Sequence, residues 1–390
     1  MTKTIASKTV EPVQGDSIRN NRIAGRPTFE ALITAAGTQS KREIWPDLVR
    51  VYATVMVVLL HAASLPVSRF AIPNLEGWIW ADIYRSITST CIPLFVMLSG
   101  ALLLNAPSWD ASSFFRRRFH KIIIPLVVWS AVYALWSRHF HGQSITLTHF
   151  LAQLVAGISN PPYVHLWFLY LILSLYLMVP IFRVYVLNAS EKNQFYFAGL
   201  WFTATAVIPI LSAGGLSVDL YLAPVAGFIG YFVLGASVAR FLTGTLPRSA
   251  LILAAVASIG GMVFTAWATY IISVRDGTLY ENLYSHTAPN VVLMSVPTFL
   301  ILRHVGTLLQ QRAVSGVARA LSIGGALSFG VYLAHVLVME VLESGILGVS
   351  LGRARFPASF GVPAVASVIL LLTSLIVAVL RRSPLRGIVP

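Results

Sequence analysis

The sharpest candidate for chemistry is a pair of ionisable residues in one apolar run, Arg50 and His61, separated by the string VYATVMVVLL. On an α-helix, steps of about 100° bring the second residue back to within about 20° of the first, roughly 16 Å along the axis. Both side chains then share one face, and the helix is expected to line one channel with these two polar stations at different depths. An arginine is suited to holding an anionic group, and an imidazole titrates near neutral pH and can take a proton from a hydroxyl. The simplest chemistry is general-base activation of an alcohol by His61. The alternative is an Arg50 that snorkels to lipid headgroups and a His61 that bonds a neighbouring helix. Asp47, one turn before Arg50, is placed to hold the guanidinium by an i,i+3 pair or to cap the helix after Pro46.

Further candidates recur along the chain. The segment FFRRRFHKIIIP reads as a loop carrying Arg116, Arg117, Arg118 and Lys121 at the mouth of an apolar run. Four cations among phenylalanines could clamp phosphates or could be ordinary loop charge. The run PPYVHLWFLYLILSLYLMVP carries His165 and Trp167 at its edge, where an aromatic belt is the competing reading. The run SFGVYLAHVLVMEVLE holds His335, Glu340 and Glu343. Carboxylates there would bind sugar hydroxyls, tune a histidine or join helices. Arg85 has Asp82 one turn earlier as its local partner. His286 reads as interfacial or functional alike. Pro93, Pro297 and Gly100 suit kinks and close helix packing. Cys91 is the only cysteine, so neither a disulfide framework nor a cysteine metal site is available within one chain. No G-x-S-x-G elbow offers a rival nucleophile, and no metal site is expected.

These residues need a frame, and composition dictates it. Of 390 residues, 56% are hydrophobic and 11% charged, with mean hydropathy +0.76. A soluble domain carries about 25% charged residues, so soluble, disordered and fibrous classes are excluded. The fold class expected is all-α: a polytopic membrane protein of about ten helices in one bundle. Spans are predicted near 46–65, 79–104, 119–137, 165–187, 195–213, 219–241, 250–274, 287–303, 323–346 and 357–380. Ser144 to Ile158 is too short to cross and reads as interfacial. Residues 1–43 read as a flexible cytoplasmic tail, 44–382 as the membrane domain and 383–390 as a cytoplasmic C-terminus. The tail has no long apolar core and is not a cleavable signal peptide.

The net charge of +14 would suggest nucleic acid in a soluble protein. Here it follows the bias of cytoplasmic loops toward Lys and Arg, and no nucleic-acid partner is expected. With ten spans, 21 basic residues fall on the side of the termini and five on the other. That split predicts cytoplasmic termini.

Taken together, WPDLVRVYATVMVVLLHA, CIPLFVMLSGALLL, FFRRRFHKIIIPLVVWS, HLWFLYLILSLYLMVPI and SFGVYLAH resemble the acyltransferase type 3 family, over about residues 44–380. The stand-alone form related to surface-glycan O-acetyltransferases is the most similar. The resemblance implies a ten-helix bundle in the bacterial inner membrane. It implies acyl transfer from cytoplasmic acyl-CoA, usually acetyl-CoA, to a carbohydrate hydroxyl of an exopolysaccharide or other glycan at the outer side. Acyl-CoA is then a co-substrate, with no tightly bound cofactor. His61 is implied as catalytic and Arg50 as a residue of the donor path or of site support. The family's R-x-x-R stands here as Arg118-FH-Lys121, so bidentate phosphate binding would rest on Arg118, with Lys121 a point charge. Arg116 and Arg117 would add to the donor site, and His165, Trp167, His335, Glu340 and Glu343 would orient the acceptor or support the site. The rival readings are a glycan transporter without transfer chemistry and a structural subunit of a polysaccharide synthase.

Overall fold

A computed structural model describes residues 43–107, 109–140, 163–213, 227–346, 351–352 and 355–390. All of them belong to one unit running from Glu43 to Pro390. The elements are α1 (Trp45–Ser68), α2 (Leu75–Thr88), α3 (Cys91–Leu104), α4 (Ala111–Phe140), α5 (Trp167–Asn188), α6 (Glu191–Phe202), α7 (Ile208–Ala213), α8 (Ile229–Phe241), α9 (Arg248–Asp276), α10 (Pro289–Gln311), α11 (Ser315–Ser344) and α12 (Ala358–Arg382). A π-helical stretch, Thr203–Val207, joins α6 to α7. Among the described residues there is no strand.

Nine segments are long and apolar enough to cross a bilayer among the described residues. Three of them are composite: Leu75–Leu104 comprises α2 and α3, Glu191–Ser212 runs from α6 into α7, and Asn282–Gln311 joins a short 3-10 turn, Asn282–Tyr284, to α10. The tenth expected span, 219–241, is described only in its second part, the 13-residue α8. The 1–43 tail, apart from Glu43, and the 144–158 segment lie outside the described residues. The chain is thus a polytopic, all-α membrane protein.

Helix α1 is central and packs against α2, α3, α10, α11 and α12. That position suits the helix carrying Arg50 and His61, because a lipid-facing helix could not shelter either charge. The tightest pairing is α3 with α8. A Cβ on Gly100 would lie 1.7 Å from the Phe232 carbonyl oxygen, and one on Gly235 2.0 Å from that of Met97. Each helix therefore needs its glycine for the backbones to approach, as small residues permit in membranes. At the periphery, α9 exposes Leu253, Val256, Ile259, Val263 and Trp267. Their three-and-four spacing marks a lipid-facing stripe.

Two sequence expectations change here. The FFRRRFHK segment is not a loop: α4 begins at Ala111, and the cations occupy its first turns. Asp110 accepts from the Ser113 backbone N–H at 2.8 Å, which starts the helix early. The same bond holds the Asp110 carboxyl below the usual carboxylate range. The span predicted over 79–104 is broken at Ser89 and Thr90. Pro93 explains the break, because it has no N–H for the Ser89 carbonyl and its ring crowds that oxygen.

Candidate active site

Three histidines from separate segments converge. His61 comes from α1, His335 from α11 and His165 from the turn that leads into α5. Ring centroids are 5.0 Å apart for His61 and His335, 5.4 Å for His165 and His335, and 6.2 Å for His61 and His165. His61 and His165 line a cavity of about 640 Å³. His335 is fully buried behind them. Its Nδ1 faces the carbonyls of Tyr332 at 2.8 Å and Val331 at 3.1 Å. Facing two acceptors, Nδ1 must carry the ring proton, which leaves Nε2 a bare acceptor without a partner among the described residues. Neither ring nitrogen of His165 meets hydrogen-bond geometry with a described residue. The nearby Leu333 carbonyl already accepts from the Tyr133 hydroxyl at 2.8 Å.

Aromatic residues hold this cluster in place. Tyr332 donates to the His165 carbonyl at 2.5 Å. Tyr133 stands edge-on to His165 at 4.8 Å and stacks on Tyr163 at 4.5 Å. Glu340 lines the same cavity and accepts from the Trp136 indole at 2.7 Å and from the Tyr163 hydroxyl. The carboxylate is thereby tied to α4 and to the chain before α5. Glu343, one turn on, lines none of the described cavities.

Trp167 lies on the cavity wall, stacked at 19° on His286 with centroids 6.2 Å apart. The His286 Nδ1 is 2.9 Å from the Ser89 carbonyl oxygen. That oxygen is the one Pro93 leaves without its helical donor, so the kink and the seat of His286 have a single cause. Sequence reading left His286 undecided, because its partner is 197 residues away.

Arg50 lies in a different chamber. It pairs with Asp47 at 2.7 Å, as the i,i+3 spacing allows. With Arg118, Lys121 and Tyr176 it lines a cavity of about 360 Å³. The Arg118 guanidinium is 5.8 Å from the Tyr176 ring centroid and 6.0 Å from that of Phe114. Arg117, Arg118 and Lys121 also line an adjoining cavity of about 240 Å³. Arg116 is exposed and lines none of the described cavities. Helical periodicity explains the split: residues 117, 118 and 121 fall on one face and 116 on the other.

One continuous passage from Arg50 to His61 was the sequence expectation. The structure has two chambers with Phe168 and Tyr332 lining both. Their rings meet edge to face at 5.7 Å. The Arg–His register holds, and an aromatic pair stands between its two stations.

Residues 43–381 match the acyltransferase domain family. The chain belongs to this family and is an acyltransferase embedded in the membrane. It is 23% identical over 306 residues to "Putative membrane-bound acyltransferase YfiQ" of Bacillus subtilis (strain 168), covering 75% of this chain and 80% of the relative. No solved structure matches.

Proposed function

We propose that the protein is an O-acyltransferase. It moves an acyl group, acetyl by preference, from cytoplasmic acyl-CoA to a hydroxyl of a surface polysaccharide or lipid-linked glycan. The observation that carries this reading is the two-chamber arrangement along α1. A cationic chamber holds Arg50, Arg118 and Lys121 at one end, and a histidine-lined chamber holds His61 and His165 toward the other. In this reading the nucleotide phosphates of CoA sit on Arg118 and Lys121, with Arg117 at the rim. Arginine binds phosphate in a bidentate manner and lysine adds a point charge. The pantetheine arm runs past Arg50, the Phe168 and Tyr332 rings part to admit it, and the thioester reaches His61. The His61 imidazole takes the proton of the acceptor hydroxyl as its oxygen attacks the thioester carbon. A C–O bond forms, the C–S bond breaks, and the CoA thiolate leaves with the proton returned from His61. His335 supports the His61 ring from behind. His165 faces the acceptor or the carbonyl oxygen, Trp167 offers a sugar platform, and Glu340 stiffens the wall.

The 21-to-5 division of basic residues supports a bacterial inner-membrane protein with both termini in the cytoplasm. The test uses membrane vesicles of both orientations, carrying endogenous acceptors and given acetyl-CoA labelled in the acetyl group. Alkali-labile label should appear in glycan from inside-out vesicles and be absent from right-side-out ones. A glycan transporter would leave no ester in either, and that outcome would refute the proposal.

A further inference from the structure

Arg85 is a cation in a membrane span with no ion-pair partner among the described residues. Among the described residues no carboxylate lies within 4.0 Å of its guanidinium. Asp82, its expected partner, accepts instead from the Tyr284 hydroxyl at 2.6 Å and the Ser86 hydroxyl at 3.3 Å. Arg85 lies over the Tyr284 ring at 5.0 Å and donates to the Ser89 hydroxyl at 3.3 Å. An arginine has five N–H donors, and no further hydrogen bond engages them among the described residues. Leaving such a group in a span is costly, so it marks a site by default.

Its position says what for. Arg85 lines the His61 cavity and an adjoining one of about 420 Å³, as do Ser64, Trp167 and His286. A cation at the seam of two chambers, beside a flat indole, suits a sugar that carries an anionic group. The guanidinium fork takes two oxygens of that group, and the Trp167 indole, one face of which His286 covers, lines the same wall beside the sugar. Glu281 lines the second chamber as well, but it is exposed and makes no ion pair with Arg85 within 4.0 Å.

We infer that Arg85 anchors a carboxylate or phosphate on the acceptor sugar and so holds a neighbouring hydroxyl before His61. The inference rests on the acyl-transfer reading for its purpose, but the anion site is tested by binding alone. Purified full-length protein is titrated, without acyl-CoA, with tritiated methyl glucoside, methyl glucuronide and methyl glucoside 6-phosphate. The wild type should bind at least one anionic glycoside about tenfold or more tightly than the neutral one. The better anion tells carboxylate from phosphate. Arg85→Gln should bring the ratio below about twofold, and Arg85→Lys should keep part of it. Equal or undetectable binding of all three by the wild type overturns the inference without need of any variant. So does an Arg85→Gln protein that keeps the preference. Anion preference in a protein that forms no ester would refute acyl transfer and leave the site standing. Ester formation without preference would do the reverse.

Discussion

At the scale of single residues, the two faces of the first turns of α4 give the most discriminating comparison. Arg118 looks into the Arg50 chamber, whereas Arg116 is exposed. A hydrogen bond to a charged group contributes about 1.5–3 kcal/mol. Arg118→Ala should therefore raise the KM for acyl-CoA about tenfold or more, with a smaller effect on kcat. Arg116→Ala should fall short of that by roughly an order of magnitude. Equal effects in steady-state kinetics would detach the donor from this chamber. Glu340 offers a second test. Removing its carboxylate strands the Trp136 indole and the Tyr163 hydroxyl, each at a cost of about 1–3 kcal/mol. Glu340→Ala should lower the thermal midpoint in detergent by several degrees more than Glu340→Gln, whose amide oxygen still accepts. Matching midpoints would mean that Glu340 does not brace the wall.

At the scale of elements, packing and partition make separate predictions. The α3–α8 pair closes on Gly100 and Gly235, where an added methyl meets backbone rather than a side chain that can yield. Overpacking of that kind costs about 1–3 kcal/mol. Gly235→Ala should destabilise the protein in a thermal unfolding assay, while Gly199→Ala, at an open position, should not. The element-level reading from sequence succeeded where local pattern suffices. Apolar runs located the helices, and a fixed residue spacing put Arg50 and His61 on one face. It failed where the cause is local but weak, or tertiary. Asp110 starts α4 some eight residues before the apolar run does, because a cap needs only one acceptor and no hydrophobicity. The interposition of Tyr284 between Asp82 and Arg85 depends on a contact across 202 residues, which no spacing rule can reveal. The meeting of His61, His165 and His335 has the same origin. The Phe168–Tyr332 partition was invisible for the opposite reason, since aromatic residues are common in apolar helices and nothing in the sequence singles out these two.

At the scale of the whole molecule, transfer across a bilayer requires a direction. In the proposed reaction, donor and acceptor approach from opposite sides of the bilayer, with the basic-rich side in the cytoplasm. Cys91 is the only cysteine and is fully buried, so single reporter cysteines can be introduced against a quiet background. Lys192, in the first turn of α6, and Glu281, after α9, are both exposed. Lys192→Cys should react with a membrane-impermeant maleimide only from the cytoplasmic side, and Glu281→Cys only from the outer side. The reverse pattern would invert the donor path. Helix α1 spans from the Arg50 chamber to the His61 chamber within one central element. That placement accounts for Arg50 and His61 at once.

The most direct measurement is the rate of alkali-labile acetyl-ester formation on glycan, in inside-out vesicles carrying equal amounts of the wild-type or His61→Ala chain and supplied with labelled acetyl-CoA. A positioned general base contributes about 10²–10⁴-fold. The account predicts a loss of that size for His61→Ala, with acetyl-CoA binding retained. Ester formation by His61→Ala at the wild-type rate would contradict it.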